Sequence, residues 1–216
     1  MRRSLFSFSA IFWLYCYSAQ ASLELIHETS LHIRVSPLFN PIVQENLLDQ
    51  KSLLPVNIAW AFGLAAEVPV FQWFNSGFII QFNTGLPNYV PIIDLSGIAK
   101  FQWPFAIHTG HVTPYAMLPL GISYATTPVV DEVARRSAKD QVPTKLYENG
   151  VGFNGAIFGG VEYFPIRYFG LFAEAGYRAS ILFHQIVQGA DAQRTWRYSS
   201  YWIRGVTVSF GAKIAF

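Results

Sequence analysis

The sequence predicts an all-β chain folded as an eight-stranded antiparallel up-and-down transmembrane β-barrel. Three observations predict it. Segments of ten or so residues alternate apolar with small or polar side chains, and eight of them can be counted after residue 30. The connections between them alternate between long polar stretches and short ones rich in aromatics and proline. Finally, aromatic residues make up 17% of the chain and charged residues only 13%, so the apolar surface exceeds what an ordinary soluble domain carries.

The chain opens with Arg2 and Arg3, an apolar run over residues 5–17 and the small-residue stretch Ala19-Gln20-Ala21. That tripartite order predicts a secretory signal peptide over residues 1–21, leaving 22–216 as the barrel domain. The apolar run is shorter than the ~20 residues of a spanning helix. Bulky Leu14 and Tyr15 before Cys16 argue against lipidation. Beyond the leader no stretch reads as a helical span, and the one cysteine lies inside it, so a disulfide framework is not expected. Arg2 and Arg3 also belong to the leader, which leaves the remaining chain formally neutral against its 13 acidic residues. Neutrality removes the electrostatic footprint of a nucleic-acid binder.

The eight alternating segments fall at about 31–39, 56–68, 77–86, 92–103, 113–124, 151–164, 171–183 and 201–216. In the first, Leu31, Ile33 and Val35 oppose His32, Arg34 and Ser36; in the last, Val206, Val208, Phe210 and Ile214 oppose Thr207, Ser209 and Lys213. An even count suits a closed antiparallel barrel, whose apolar face meets lipid. Long connections are expected at 40–54, 126–150 and 184–200, and short ones at 69–76, 104–111 and 165–170; the connection at 87–91 breaks the alternation by being short. Pro37 and Pro119 fall inside strands, where a missing N–H predicts bulges or strand ends. A soluble lipocalin-like barrel is the architectural rival.

The residue chemistry sorts by face and by rim. Arg34, Glu67, Asp94, Lys100, Glu162, Glu174, Arg178, Arg204 and Lys213 are expected to form a polar network in the lumen, because eight strands leave room for little beyond side chains and buried charges need partners. Phe71, Trp73, Phe101, Trp103, Tyr163 and Tyr168 cluster at the short turns and predict an interfacial aromatic girdle. The segment 128–150 carries Arg135 and Arg136 among mixed charges, and Arg194, Trp196 and Arg197 pair cations with an aromatic. Both stretches read either as solvated loops or as surfaces for lipopolysaccharide, host or matrix contact.

Enzyme motifs are sparse: no GxSxG, HExxH or P-loop pattern occurs, and no cofactor is expected. Glu174, Ser180 and His184 share one strand face, but Glu174 and His184 lie roughly 33 Å apart along an extended chain. His27, His32, His108, His111 and His184 are scattered through the sequence and suggest no metal site.

The stretches NGAIFGGVEYFP, GLFAEAGYR and GVTVSFGAKIAF resemble the last three strands of small opacity-type and OmpA-like outer-membrane barrels. The resemblance covers residues 150–216 and is architectural before that. It implies periplasmic termini, the bacterial outer membrane as the location, and an assembly signal at Phe210, Ile214 and Phe216 read by the barrel-assembly machinery. It carries no ligand, since such scaffolds serve many roles. The expected function is noncatalytic, structural or surface-contacting, among outer-membrane lipid and lipopolysaccharide. A small channel or hydrophobic-compound transporter and a lipid-modifying enzyme are the alternatives.

Overall fold

The computed structural model describes residues 29–47, 50–54, 58–85, 92–125, 146–147, 150–188 and 195–216, with side chains described except at 45–54, 146–147, 184–188 and 195–199. The expected leader at 1–21 lies outside the described residues. Eleven strands run in chain order: β1 Ser30–Leu47, β2 Gln50–Leu54, β3 Ile58–Phe71, β4 Phe74–Thr84, β5 Ile92–Gln102, β6 Phe105–Ile107, β7 Gly110–Ala125, β8 Leu146–Tyr147, β9 Gly150–Ile166, β10 Phe169–Gln188 and β11 Thr195–Ala215.

Eight of these close a ring in the order β1, β3, β4, β5, β7, β9, β10, β11, and β11 pairs back onto β1. Every pairing in the ring is antiparallel. The three short strands are appendages: β2 folds back on β1, β6 continues the β5 register against β7, and β8 touches the far end of β10. Closure removes free edges from the ring, which is what lets strands lie in hydrocarbon with their backbone groups satisfied.

Side-chain parity follows the sequence. On β3 exposure alternates residue by residue from Ile58 to Ala65, and Ile58, Trp60, Phe62 and Leu64 face outward. On β11 the outward set is Trp202, Val206, Val208, Phe210 and Ile214, while Thr207, Ser209 and Lys213 are buried inside. The core is therefore the lumen, and the exposed apolar residues form the outer belt.

One rim gathers the start of β1, the end of β11 and the tight turns. Phe216 N donates to Thr29 O at 3.0 Å, Ala215 N to Tyr168 O at 3.0 Å and Gln102 N to Trp73 O at 2.9 Å. The third connection on this rim is the β6–β7 hairpin, closed by Gly110 at φ 138°; a Cβ there would lie 2.0 Å from Phe164 O.

Two expected long loops are in part strand. Over 40–54, β1 continues to Leu47 and β2 pairs with it; over 184–200, β10 and β11 stay paired out to Gln188 and Thr195. Their polar composition concealed this, because strand pairing above the lipid belt needs no apolar face. Residues 86–91 and 126–145 lie outside the described residues.

The prolines act on the ladder. Paired residues between β1 and β11 skip Ser36 and Pro37, where Thr207 Oγ1 instead donates to Pro37 O at 2.9 Å. Pairs between β7 and β9 skip Leu118 and Pro119 in the same way. In β1 the register shift lies between Phe39 and Ile42, with Asn40 at φ 42°, and further shifts fall at the short-turn rim between Pro69 and Phe71 and between Phe169 and Leu171. The first of these inserts a residue into β1 and keeps Val43 inward opposite Ile203.

Candidate functional site: a charge-matched lumen

The lumen is filled in tiers. Nearest the short-turn rim, Lys100 of β5 and Lys213 of β11 lie between Glu67 of β3 and Glu162 of β9. Lys100 Nζ donates to Glu67 Oε2 at 3.0 Å and to Glu162 Oε1. Lys213 Nζ donates to Glu67 Oε2 at 2.9 Å and to Glu162 Oε1 at 3.0 Å. Each carboxylate thus meets both ammoniums. Asn75 and Gln102 exchange amide hydrogen bonds at 3.1 and 3.2 Å beside this cluster, and the Lys100 ammonium lies 4.3 Å from the Tyr115 ring centre.

In the next tier Arg34 of β1 reaches across to Glu174 of β10 and donates to Ser209 Oγ at 3.0 Å. Tyr115 Oη donates to the other Glu174 oxygen at 2.7 Å, and Phe158 lies under the guanidinium at 5.2 Å. Above it, Asp94 pairs with Arg178, accepts from Asn83 Nδ2 at 2.9 Å and accepts from Ser123 Oγ. Asn154 completes this tier, accepting from Ser96 Oγ at 2.6 Å and donating to Ile122 O at 2.8 Å.

At the end of the lumen away from the short turns the lining turns apolar. Leu38, Val43, Ala59, Ile92, Ala125, Leu182, Tyr201 and Ile203 form one buried inward cluster. Sealing buried ion pairs from water strengthens them, and the pairs in turn satisfy charges whose isolated burial would be prohibitive.

Eight of the nine residues expected in the lumen are there, in two-by-two and one-by-one charge balance. Arg204 is the exception and is corrected: it is exposed on the outer wall. It shares strand parity with Trp202 and Val206, and near the end of the belt a long cation reaches water without turning inward. Sequence reasoning left His32, Asn75, Asn83, Gln102, Tyr115, Ser123, Asn154 and Ser209 out of the network. Their polar-face parity was the available signal, and His32 in particular sits opposite Leu31 and Ile33.

The scattered histidines gain one neighbourhood. His32 Nε2 lies 3.5 Å from Glu67 Oε1, and ligand atoms of His32, Glu67 and Glu162 fall within 4.8 Å of one another. Both carboxylates already hold Lys100 and Lys213, so a metal ion there would have to displace two ammoniums. Of the trio Glu174, Ser180 and His184 on β10, Glu174 is committed to Arg34 and Tyr115, Ser180 is buried in the lumen wall, and the side chain of His184 lies outside the described residues.

The girdle residues share the short-turn rim. Phe71 and Trp73 stack at 5.6 Å and Trp73 and Phe101 at 5.8 Å, all three exposed. Trp103 and Tyr168 are exposed on the same rim, and half-buried Tyr163 donates to Thr109 O at 3.2 Å. Phe210, Ile214 and Phe216 point outward along β11. Arg135, Arg136 and Arg194 lie outside the described residues; Trp196 and Arg197 belong to β11 beyond the belt, with their side chains outside the described set.

A closed antiparallel ring with an apolar exterior and a paired polar interior defines a class, the small outer-membrane β-barrel. No family model matches the chain, and no curated protein matches it. Among solved structures it is similar to the outer membrane protein OprG from Pseudomonas aeruginosa, with 14% identity over 88% of this chain and 96% of that one and a TM-score of 0.55. Neisserial surface protein A, NspA, matches at 13% identity over 86% and 97% with a TM-score of 0.43. The outer membrane protein AlkL in DMPC bilayers matches at 12% over 88% and 90% with a TM-score of 0.46. The likeness to OprG is one of fold.

Proposed function

We propose that this chain is a closed, noncatalytic barrel of the bacterial outer membrane with a structural or surface-contacting role, related in kind to the opacity-type and OmpA-like barrels its last three strands resemble. The observation that carries this reading is the charge-matched lumen. Four buried anions, Glu67, Asp94, Glu162 and Glu174, face four cations, Arg34, Lys100, Arg178 and Lys213. An ion entering the lumen would have to break pairs held in low dielectric, so the interior works as a plug. With the interior committed to itself, contact chemistry is left to the outer surface and the loops. Lipopolysaccharide and a host or matrix ligand are the partners this reading supplies, and the barrel-assembly machinery is the expected partner in biogenesis.

The test is conductance of the purified protein in planar bilayers. No stepwise current is expected, and reproducible single-channel steps would overturn the plug. A second reading, uptake of an apolar compound, is favoured by the apolar lining formed by Leu38, Val43, Ile92 and Ile203 at the loop end. It predicts that a tritiated hydrocarbon equilibrates faster into vesicles carrying the barrel than into empty ones; the plug reading predicts equal rates.

A further inference from the structure

Every charged side chain described on the transmembrane strands points into the lumen and is paired, except Arg204. It is exposed on the lipid-facing wall, between outward-facing Trp202 and Val206. A lone arginine on that wall is costly at the bilayer midplane and nearly free at the interface, so its depth decides what it means. It lies twelve residue steps before Phe216 at the short-turn rim. At ~3.3 Å per residue and a tilt of about 40°, that places the guanidinium roughly 30 Å up the barrel axis, just past an apolar belt about 25 Å tall.

The local fold keeps this cation uncovered. Its register partners are Ala179 on β10 and Ile42 on β1. Ala179 is too small to screen it, and the β1 bulge between Phe39 and Ile42 lies directly alongside. Exposed Trp202 sits two residues further out on the same face, the aromatic neighbour expected of a headgroup-level site.

We infer that Arg204 is a binding site for a phosphate of the outer-leaflet glycolipid, with the lipid's acyl chains against the neighbouring wall. A guanidinium at headgroup depth offers a forked donor to phosphate oxygens, and the glycolipid phosphate is the anion at that depth on the loop side. The inference rests on the proposed outer-membrane reading and on the orientation that the resemblance implies, with the short-turn rim in the periplasm.

Native mass spectrometry of the purified barrel tests it, with bis-phosphorylated lipid A, dephosphorylated lipid A and phosphatidylglycerol as probes. The wild type is expected to retain bis-phosphorylated lipid A about tenfold better than the dephosphorylated form, the factor one charge-assisted hydrogen bond supplies. Arg204→Gln should bring that ratio near one, Arg204→Lys should restore part of it, and Arg167→Gln on the opposite rim should leave it unchanged. Equal ratios in wild type and Arg204→Gln, or an equal loss in Arg167→Gln, would overturn the site. Phosphatidylglycerol retained as well as lipid A would overturn the choice of glycolipid. Orientation is read separately, by labelling Thr84→Cys on intact cells with an impermeant maleimide. Labelling only after the outer membrane is opened would sink the orientation while leaving the lipid ratios to stand or fall alone.

Discussion

Replacing Lys100 by Met asks how much of the barrel's stability rests on the rim cluster. Methionine nearly matches the aliphatic stem of lysine, so the change removes a charge and its hydrogen bonds without opening a cavity. Lys100 is 0% exposed and its ammonium bridges Glu67 and Glu162. Without it, two buried carboxylates share Lys213 alone, and the cluster goes from neutral to a net charge of minus one. Breaking a buried pair from one side costs about 3–5 kcal/mol, and the lost contact with the Tyr115 ring adds roughly 0.5–2 kcal/mol. Glu162→Gln alone leaves the opposite imbalance and a similar cost. The double variant restores neutrality, with Glu67 and Lys213 still paired at 2.9 Å, so it should be destabilised by less than the sum of the singles by at least about 2 kcal/mol. Urea unfolding from lipid vesicles, followed by tryptophan fluorescence and by heat-dependent gel mobility, measures all four proteins. A Lys100→Met cost below about 1 kcal/mol, or strict additivity in the double variant, would refute the reasoning that these pairs hold the lumen together.

The remaining predictions use the same unfolding assay. Arg178→Met should cost about 3 kcal/mol, the low end for a buried pair, because Arg178 is 12% exposed and Asp94 keeps its bonds from Asn83 and Ser123. The adjacent glycines Gly159 and Gly160 should behave oppositely. A Cβ on Gly160 would lie 2.6 Å from the Tyr115 ring and 2.7 Å from Glu174 Cβ, whereas one on Gly159 meets nothing within 4 Å. Gly160→Ala is expected to destabilise by about 1–3 kcal/mol and Gly159→Ala by less than about 0.5 kcal/mol; equal effects would contradict the assignment of their faces.

Much of the architecture was legible because the strand period is two. Once β11 is read as Val206, Val208 and Phe210 against Thr207, Ser209 and Lys213, the closed ring leaves lipid outside and polar groups inside. The short-turn aromatics were legible for a related reason, since rings with a polar tip concentrate where water meets hydrocarbon. Arg204 was misplaced because its charge was allowed to outweigh its parity, although its depth near the belt's edge removes the penalty that would have forced it inward. The extended pairing of β1 with β2 and of β10 with β11 was missed because those stretches have no apolar face to mark them.

By itself the sequence determined which side chains face each medium, since alternation along one strand is a local property of the extended backbone. Which charges meet was decided only by closure. Lys100 and Glu162 are 62 residues apart, and Arg34 and Glu174 are 140 apart; no periodicity relates them. Each of these pairs sits on strands two apart in the ring, β5 and β9 on either side of β7 and β1 and β10 on either side of β11; closure curves such strands until their inward side chains meet, and the tilt of each strand sets the tier at which it meets its partner. The bulge at Asn40 likewise belongs to tertiary structure, because only the opposing β11 makes one extra residue in β1 count.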